Sequence, residues 1–263
     1  MKQRVRIPAP LRPVLALIFW IGVWWAVSAI VDREVLIPSP PVVAVRLFGL
    51  LGEADFHISV ILSILRITAG FAAAVLLGTC TGILCAGVKT ADLLISPLMS
   101  VIRATPVASF IILALIMIDK EMIPVFISAL MVLPVIHGNV REGILSADPQ
   151  LLEMAQIFRF TKAQKLKKIY LPAVAPYLTA GVKTSVGLAW KAGVASEVLC
   201  FARYSIGNKL YQAKVYLETS EMFAWTVTVI ILSMIIEKLL MAAVSSWQRK
   251  HNYDKSGKPE KVF

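Results

Sequence analysis

"EMAQIFRFTKAQKLKKIYLP", residues 153–172, is a polar and Lys-rich stretch in a chain that is otherwise largely apolar. Hydrophobic residues make up 58% of the 263 residues and charged residues only 16%, and the mean hydropathy is +0.76. This composition is typical of an integral membrane protein, whose surroundings are lipid rather than water. We therefore interpret residues 153–172 as a basic connection between membrane helices, with the lipid bilayer as a partner.

The hydrophobic runs predict an all-α protein with about six transmembrane helices, because each helical crossing needs about 20 apolar residues. The candidates are residues 14–31, 67–88, 104–118 (or from about 93), 122–140, 172–200 and 222–244, the fifth being of mixed composition. The first run could be a signal peptide, but its length and three Trp residues favour a retained helix. In the second run Gly78 and Gly82 form a GxxxG pattern, which predicts close packing against a neighbouring helix. One transmembrane domain, residues 14–247, then lies between tails of residues 1–13 and 248–263.

The basic residues are distributed unevenly between the two sides of this arrangement. Sixteen Lys and Arg residues fall in the termini and in the connections on their side, and six fall in the connections on the other side. Cytoplasmic connections carry such an excess, so we predict that both termini and the connection at about 141–172 are cytoplasmic. The net charge of +11 then fits anionic lipid headgroups, and we expect no nucleic-acid partner.

The connection itself predicts two short helices. Ser146 is the predicted N-cap of the first helix, with Pro149 in its first turn, and Thr161 is the predicted N-cap of the second. Pro172 then restricts the chain and marks the start of the fifth span. Two interpretations fit these helices: they lie on the headgroups with Lys162, Lys165, Lys167 and Lys168 facing phosphate, or they dock into a groove on a soluble partner.

The spacing of residues in this connection resembles the EAA loop of permease subunits of ATP-binding-cassette importers. Glu153, Met154 and Ala155 are followed after three residues by Arg159, and after nine more by Ile169, Tyr170, Leu171 and Pro172. The family pattern is Glu-Ala-Ala, three residues, Gly, nine residues and Ile-x-Leu-Pro, so Met154 and Arg159 depart from it. Arg does not readily take the left-handed conformation that Gly permits, so we expect the bend between the two helices to differ in detail.

Other segments extend the resemblance over most of the chain, to the nitrate, sulfonate and taurine permeases of this family. They are "LIPSPPVV" (36–43), "ILSILRITAGFAAAVLLGTCTGILCAG" (61–87), "SPLMSVIRATPVASFIILALI" (96–116) and "AWKAGVASEVL" (189–199). The resemblance implies a type I importer fold in a prokaryotic inner membrane, and a dimer with a second permease copy. It also implies two ATPase subunits, one on each EAA loop, and an extracytoplasmic binding protein that delivers the substrate.

The chain shows no energy source or catalytic site of its own. "GILCAGVKT", residues 82–90, is the nearest approach to a phosphate loop, but Val88 separates its second Gly from Lys89. The three His residues are too scattered for a metal site, and Cys80 and Cys85, which lie in an apolar run, are interpreted as packing residues. We therefore predict a transport subunit rather than an enzyme, with no cofactor or metal of its own and ATP–Mg bound by the partner ATPase.

Two sets of residues are the candidate functional residues. In the loop, Glu153 is expected to make a charged contact with the ATPase, Met154, Ala155 and Phe158 to fill its groove, and Pro172 to join the loop rigidly to the fifth helix. In the spans, Arg103, Lys191 and Glu197 are candidates for the translocation path, because ionisable groups are costly in lipid. A cationic lining from Arg103 or Lys191 would suit an anionic solute, but pairing with Glu197 or backbone carbonyls is an equal alternative. Arg66 and Lys183 are expected to reach an interface.

Two other classes of protein fit the composition. A secondary active transporter would also have several spans and broken helices, but it needs no EAA loop, and the two halves of the chain show no clear inverted repeat. A membrane-embedded enzyme would need a catalytic or metal constellation, which the sequence does not display.

Overall fold

The computed structural model describes residues 11–252, which form helices and connections without a β-strand. The helices in this range are α1 (Leu11–Val31), α2 (Pro40–Leu50), α3 (Ala54–Gly87), α4 (Lys89–Ala104), α5 (Val107–Met117), α6 (Ile123–Leu145), α7 (Pro149–Ile157), α8 (Lys162–Lys165), α9 (Leu171–Cys200), α10 (Ile206–Val215) and α11 (Thr219–Asn252). A π-helical turn, Leu166–Tyr170, joins α8 to α9. The tails predicted at residues 1–13 and 248–263 lie largely outside the described residues.

The long helices are apolar enough to cross a membrane. By length and composition α1, α3, α6 and α11 each qualify among the described residues, and α4 with α5 would form a fifth, broken span. α9 has 30 residues but does not join this group; Lys183, Lys191 and Glu197 interrupt its apolar sequence. The all-helical membrane fold predicted from the sequence is therefore confirmed.

α3, α6 and α9 pack closely because small residues line their contacts. A Cβ atom on Gly70 would lie 2.2 Å from the carbonyl oxygen of Val125, and one on Gly78 would lie 2.9 Å from the Cβ of Ile136. Gly82 meets Val140 in the same way, so α3 and α6 run parallel with their backbones in near contact. The packing predicted from Gly78 and Gly82 is confirmed. α9 runs antiparallel to α6, with Gly193 against Ser128 and Gly143 of α6 against Tyr177.

The predicted start of the second span was wrong, because the helix begins at Ala54 rather than at residue 67. The stretch predicted as the third span is two helices, α4 and α5, which meet at an angle of 104°, as in a broken span or a re-entrant loop. The break falls at Thr105 and Pro106, because Pro106 has no N–H and disfavours a helical conformation at the residue before it.

The bundle has two distinct ends. At one end, which we call the loop end, α3 and α6 finish and α7 and α8 lie. We call the opposite end the far end. At the far end ion pairs join Arg46 to Glu53 and Glu221, Arg66 to Glu121, and Lys209 to Asp55. The guanidinium of Arg66 also donates to the carbonyl of Arg203, so Arg66 ties α3 to the connections before α6 and after α9.

Candidate functional site: the loop between α6 and α9

The first helix of the loop, α7, starts at a different cap from the one predicted. Asp148, not Ser146, is the N-cap: its carboxylate accepts a hydrogen bond from the N–H of Gln150 at 2.9 Å. Pro149 follows at the first helical position, where its missing N–H costs nothing. Ser146 instead caps the end of α6, and its hydroxyl donates to the carbonyl of Gly143. Three residues thus separate the end of α6 from the start of α7.

Arg159 ends α7 in the left-handed conformation, with φ of 51°. The N–H of Phe160 donates to the carbonyl of Ala155 at 2.8 Å, and the N–H of Arg159 donates to that of Gln156 at 3.0 Å. These two bonds form a Schellman motif, which usually places Gly where Arg159 stands. The expectation that arginine would change this bend was wrong, because the two bonds hold the left-handed turn with an arginine in place.

The second helix begins at the predicted cap and then continues into the bundle. The Thr161 hydroxyl accepts from the N–H of Gln164, whose side chain accepts from the N–H of Thr161, so the two residues form a capping box. The prediction that Thr161 is the N-cap is confirmed. α8, the π-helical turn and α9 then run on without a break through Leu171 and half-buried Pro172. The start of α9 is therefore continuous with the loop.

A small hydrophobic cluster holds the loop together. Ala147, Ala155 and Ile169 are buried, and Leu152, Phe160, Tyr170 and Ala173 pack against them. Ala155 has no exposed surface, so the prediction that it fills a groove on a partner disagrees with the structure. Its small side chain instead lets α7 lie against the residues that lead into α9.

The outward face of the loop is apolar beside one acid. Ile157 and Phe158 are exposed at 79% and 69%, and Met154, Leu166 and Leu171 are exposed as well. Glu153 and Arg159 lie exposed on the same short helix and its end. Ile157 and Leu166 were not among the predicted contact residues, although Met154, Ile157 and Phe158 have the i, i+3, i+4 spacing of one helix face. An apolar face of this kind on a short surface helix is suited to contact with another protein or with the lipid interface.

The three candidates for the translocation path have different surroundings. Arg103, near the end of α4, donates to the carbonyl of Pro134 on α6 at 3.2 Å, so it pairs with a backbone carbonyl. Lys191 is exposed on α9. Glu197 is fully buried: one carboxylate oxygen accepts from the Ser63 hydroxyl at 2.9 Å and from the N–H of Gly207 at 3.2 Å. The prediction that Glu197 faces a path disagrees with this burial, and neither Arg103 nor Lys191 pairs with it.

Metal-binding groups do not gather in the described part of the chain. Among the side chains that the structure describes, residues 14–246, no three His, Cys, Asp or Glu groups come close enough together to hold a metal ion. Gly82 and Gly87 lie on α3, and Lys89 begins α4, so the Gly-rich stretch there has the geometry of a helix end.

A known family matches most of this arrangement. The family model for the binding-protein-dependent transport system inner membrane component matches residues 78–250, which include the loop, its capping residues and α9. The chain belongs to this family. As a permease of that family, it is a multi-pass membrane transport subunit and not a catalytic enzyme.

Relatives and a solved structure show the same similarity. The permease is 26% identical over 234 residues to a putative aliphatic sulfonates transport permease of Bacillus subtilis (strain 168), covering 88% of this chain and 82% of the relative. It is 29% identical over 201 residues to a nitrate import permease of Synechococcus elongatus, covering 71% and 70%. The fold resembles the crystal structure of an amino acid ABC transporter with histidines, with a TM-score of 0.54 and 21% identity, over 71% of this permease and 91% of that chain.

Proposed function

We propose that this permease is the membrane subunit of an ATP-driven importer and that it carries a small anionic solute delivered by an extracytoplasmic binding protein. Two copies of the chain would form the membrane core, and one ATPase subunit would dock on the loop of each copy. ATP–Mg would be bound by those partner subunits. Both termini and the loop end would lie in the cytoplasm, as the distribution of basic residues predicts.

The exposed apolar face of the loop is the observation that carries this proposal. Ile157 and Phe158 are large side chains that water would surround in an isolated permease, and burying each against a partner would contribute about 1.5–3 kcal/mol. Glu153, four residues before Ile157, can pair with a basic residue at the rim of the partner's groove. A helix laid into a groove is a common way for a soluble protein to bind such a face.

The continuity of the loop with α9 gives the docked ATPase a means of moving the membrane helices. ATP can drive transport only if its binding favours one arrangement of these helices over another. α8 continues through the π-helical turn into α9, and the buried cluster at Ala155 and Ile169 fixes α7 to the same unit. A displacement of the loop is thereby passed on to α9.

The preference for an anionic solute rests on Lys191 and on the relatives. Lys191 is exposed on a helix that runs through the bundle, and a cation is costly on a surface that faces lipid. We infer that Lys191 faces the translocation path. We infer the same for the part of the Arg103 guanidinium that does not donate to the carbonyl of Pro134. Sulfonate and nitrate, named for two of the relatives, are both anions.

The first test is purification of the tagged permease from its native membrane in mild detergent. We expect an ATPase subunit to co-purify with the permease. We expect the Glu153→Lys variant to lose either this subunit or the stimulation of its ATP hydrolysis by solute, because the substitution places a like charge against the basic rim of the groove. Glu142→Lys is the matched control, since Glu142 is an acid at the same end of the bundle but lies on α6. ATP hydrolysis by Glu153→Lys that is stimulated by solute as in the wild type would refute the role of Glu153.

The same preparation separates the proposal from a secondary active transporter. A secondary transporter would be recovered as an oligomer of this chain alone, and it would keep its activity in vesicles that have ion gradients but no ATP. In reconstituted vesicles we expect transport to require ATP and the binding protein. We also expect Lys191→Glu to reduce uptake of an aliphatic sulfonate or of nitrate, whichever is transported, more than Lys183→Glu does.

A further inference from the structure

Two arginines attach α4 to α6 at different depths. Near the middle of α6, Arg103 of α4 donates to the carbonyl of Pro134. At the loop end, Arg141 of α6 binds Asp92 of α4 through two parallel hydrogen bonds, from Nε to Oδ1 and from a terminal nitrogen to Oδ2, both at 2.8 Å. A bidentate pair of this kind fixes the relative orientation of two side chains as well as their distance.

The pair of Asp92 and Arg141 is held in place by its surroundings. The Ser96 hydroxyl, one turn along α4, donates to Oδ1 of Asp92 at 2.6 Å. The side chains of Arg141 and Asp92 are exposed at only 32% and 29%. Partial burial and a third hydrogen bond distinguish this pair from a freely solvated ion pair, which contributes little to stability.

α4 has little else to hold it at the loop end. Its two buried residues, Met99 and Ile102, lie in its second half, whereas Leu93 and Leu94, next to Asp92, are exposed at 73% and 71%. The two leucines beside Asp92 thus contribute little packing, and the pair with Arg141 is a specific polar attachment of the first turns of α4 to α6.

Arg141 also lies on the helix that leads directly into the loop. α6 ends at Leu145, four residues after Arg141, and the loop helix that carries Glu153 begins at Pro149. α4 is the first half of the broken span and carries Arg103. The pair therefore joins the loop-side end of α6 to the half-span that continues toward the proposed translocation path.

We propose that Asp92 and Arg141 are positioning residues that transmit movement of the loop to the broken span, so that α4 follows α6 during transport. This inference rests on the proposed function for its transport readout. α9 provides the connection on one side of the loop, and the pair of Asp92 and Arg141 provides a second one on the other side. Without the pair, α6 would move with the loop and α4 would not follow.

The experiment compares Arg141→Met, Asp92→Asn and Arg141→Lys with wild type and with Lys89→Met, a control that removes an exposed cation at the same end. Each complex is reconstituted with its ATPase and binding protein, and ATP hydrolysis and uptake of an aliphatic sulfonate or nitrate are measured together. We expect the first two variants to transport about tenfold less solute per ATP while their basal hydrolysis stays within about twofold of wild type. Arg141→Lys keeps the charge but not the two parallel hydrogen bonds, so the solute that it transports per ATP should lie between that of wild type and that of the first two variants.

A distance measurement gives a second readout that does not depend on the ATPase. Spin labels on cysteines introduced at exposed Leu93 and Leu145 report the separation of α4 from the end of α6, after the native cysteines are replaced. We expect a narrow distribution in wild type and Lys89→Met and a broad one in Arg141→Met and Asp92→Asn. If Arg141→Met fails to insert, Asp92→Asn decides the outcome.

The two readouts separate the possible failures. An unchanged distance distribution in both variants overturns the inference, and so does an unchanged amount of solute per ATP. If no ATPase co-purifies with the wild-type permease, the proposed function fails instead. The spin labels then still decide whether the pair of Asp92 and Arg141 holds α4 against α6.

Discussion

At residue 159 the chain holds an arginine in the left-handed backbone conformation, and two backbone hydrogen bonds and the packing of Phe160 compensate for the strain. Only glycine takes this conformation without a steric cost, because it has no Cβ atom. The position therefore stores a small amount of conformational energy in the loop. The cost is tolerated because the loop's cluster of Ala147, Ala155 and Ile169 fixes the bend from both sides.

We expect Arg159→Gly to stabilise the loop by about 1 kcal/mol, because glycine relieves the strained backbone of the Schellman motif. Amide hydrogen exchange over residues 149–170, followed by mass spectrometry, measures this as slower local opening. Gln156→Gly is the control: it puts a glycine inside α7 at an exposed position and should speed exchange by a similar free energy. Faster exchange in Arg159→Gly would show that the arginine side chain, not the backbone, stabilises the turn.

Glu197 is the second residue whose role follows from its contacts. Its carboxylate binds the N–H of Gly207 in the first turn of α10 and the hydroxyl of Ser63, which in turn accepts from the N–H of Ile206. Gly207 is required at this contact, since a Cβ atom there would lie 2.4 Å from the Cβ of Glu197. Glu197 and Ser63 thus fasten the start of α10 to α9 and α3.

We expect Glu197→Leu to destabilise the protein by about 2–3 kcal/mol, because it leaves the Gly207 N–H and the Ser63 hydroxyl buried without an acceptor. Glu197→Gln should cost less than about 1 kcal/mol, since the amide oxygen can accept both bonds. Unfolding by SDS in mixed micelles, followed by circular dichroism, measures the difference. Equal losses in the two variants would contradict an acceptor role for this side chain.

At the scale of the elements, the close contact between α3 and α6 depends on glycine. The two helices run parallel, and Gly70, Gly78 and Gly82 of α3 each meet α6 where a side chain would clash. Van der Waals contact between closely approaching backbones is a main source of helix association in lipid, where the hydrophobic effect contributes little. The glycines therefore position α6 and the loop that follows it.

We expect Gly70→Ala to cost about 1–3 kcal/mol, because the added methyl group would lie 2.2 Å from a backbone carbonyl that cannot turn aside. The midpoint of SDS unfolding measures the loss. Gly87→Ala, at the end of the same helix, has open space around the added atom and should change stability by less than about 1 kcal/mol. If both variants unfold alike, the contact with α6 is more adaptable than the packing indicates.

For the whole molecule, the loop end offers an apolar face on a separate short helix, whereas several elements at the far end are tied by ion pairs. At the loop end, Ile157 and Phe158 are exposed at the end of α7. The far end carries ion pairs that tie α2, α3, α10 and α11 together. This asymmetry fits a subunit whose loop end receives a force and whose far end keeps its elements fixed.

We expect Phe158→Ala to weaken binding of the ATPase by about 2 kcal/mol, because Phe158 is a large aromatic side chain that is exposed beside Ile157. Titration of the purified permease with the ATPase subunit in nanodiscs measures the affinity. Phe48→Ala is the matched control, since Phe48 is exposed at 72% but lies on α2 at the other end of the bundle. Equal affinities of the two variants would place the docking surface away from Phe158.

The sequence by itself determined the features that depend on local pattern or on composition. Hydropathy predicted the membrane helices, because lipid requires long apolar runs wherever the chain crosses it. The GxxxG spacing predicted the α3 contact, Thr161 predicted a cap, and the spacing of Glu153 to Pro172 identified the loop. Each of these signals is contained within a short stretch of the chain.

The tertiary structure alone decided which distant residues meet. Asp92 and Arg141 are 49 residues apart, and Ser63 and Glu197 are 134 residues apart, so no local pattern indicates either pair. Packing also placed Ala155 inside the loop, Glu197 inside the bundle, and Arg159 in a conformation that its own side chain disfavours. The physical reason is that burial and pairing depend on which surfaces the folded helices bring together, and the sequence specifies these only through the fold.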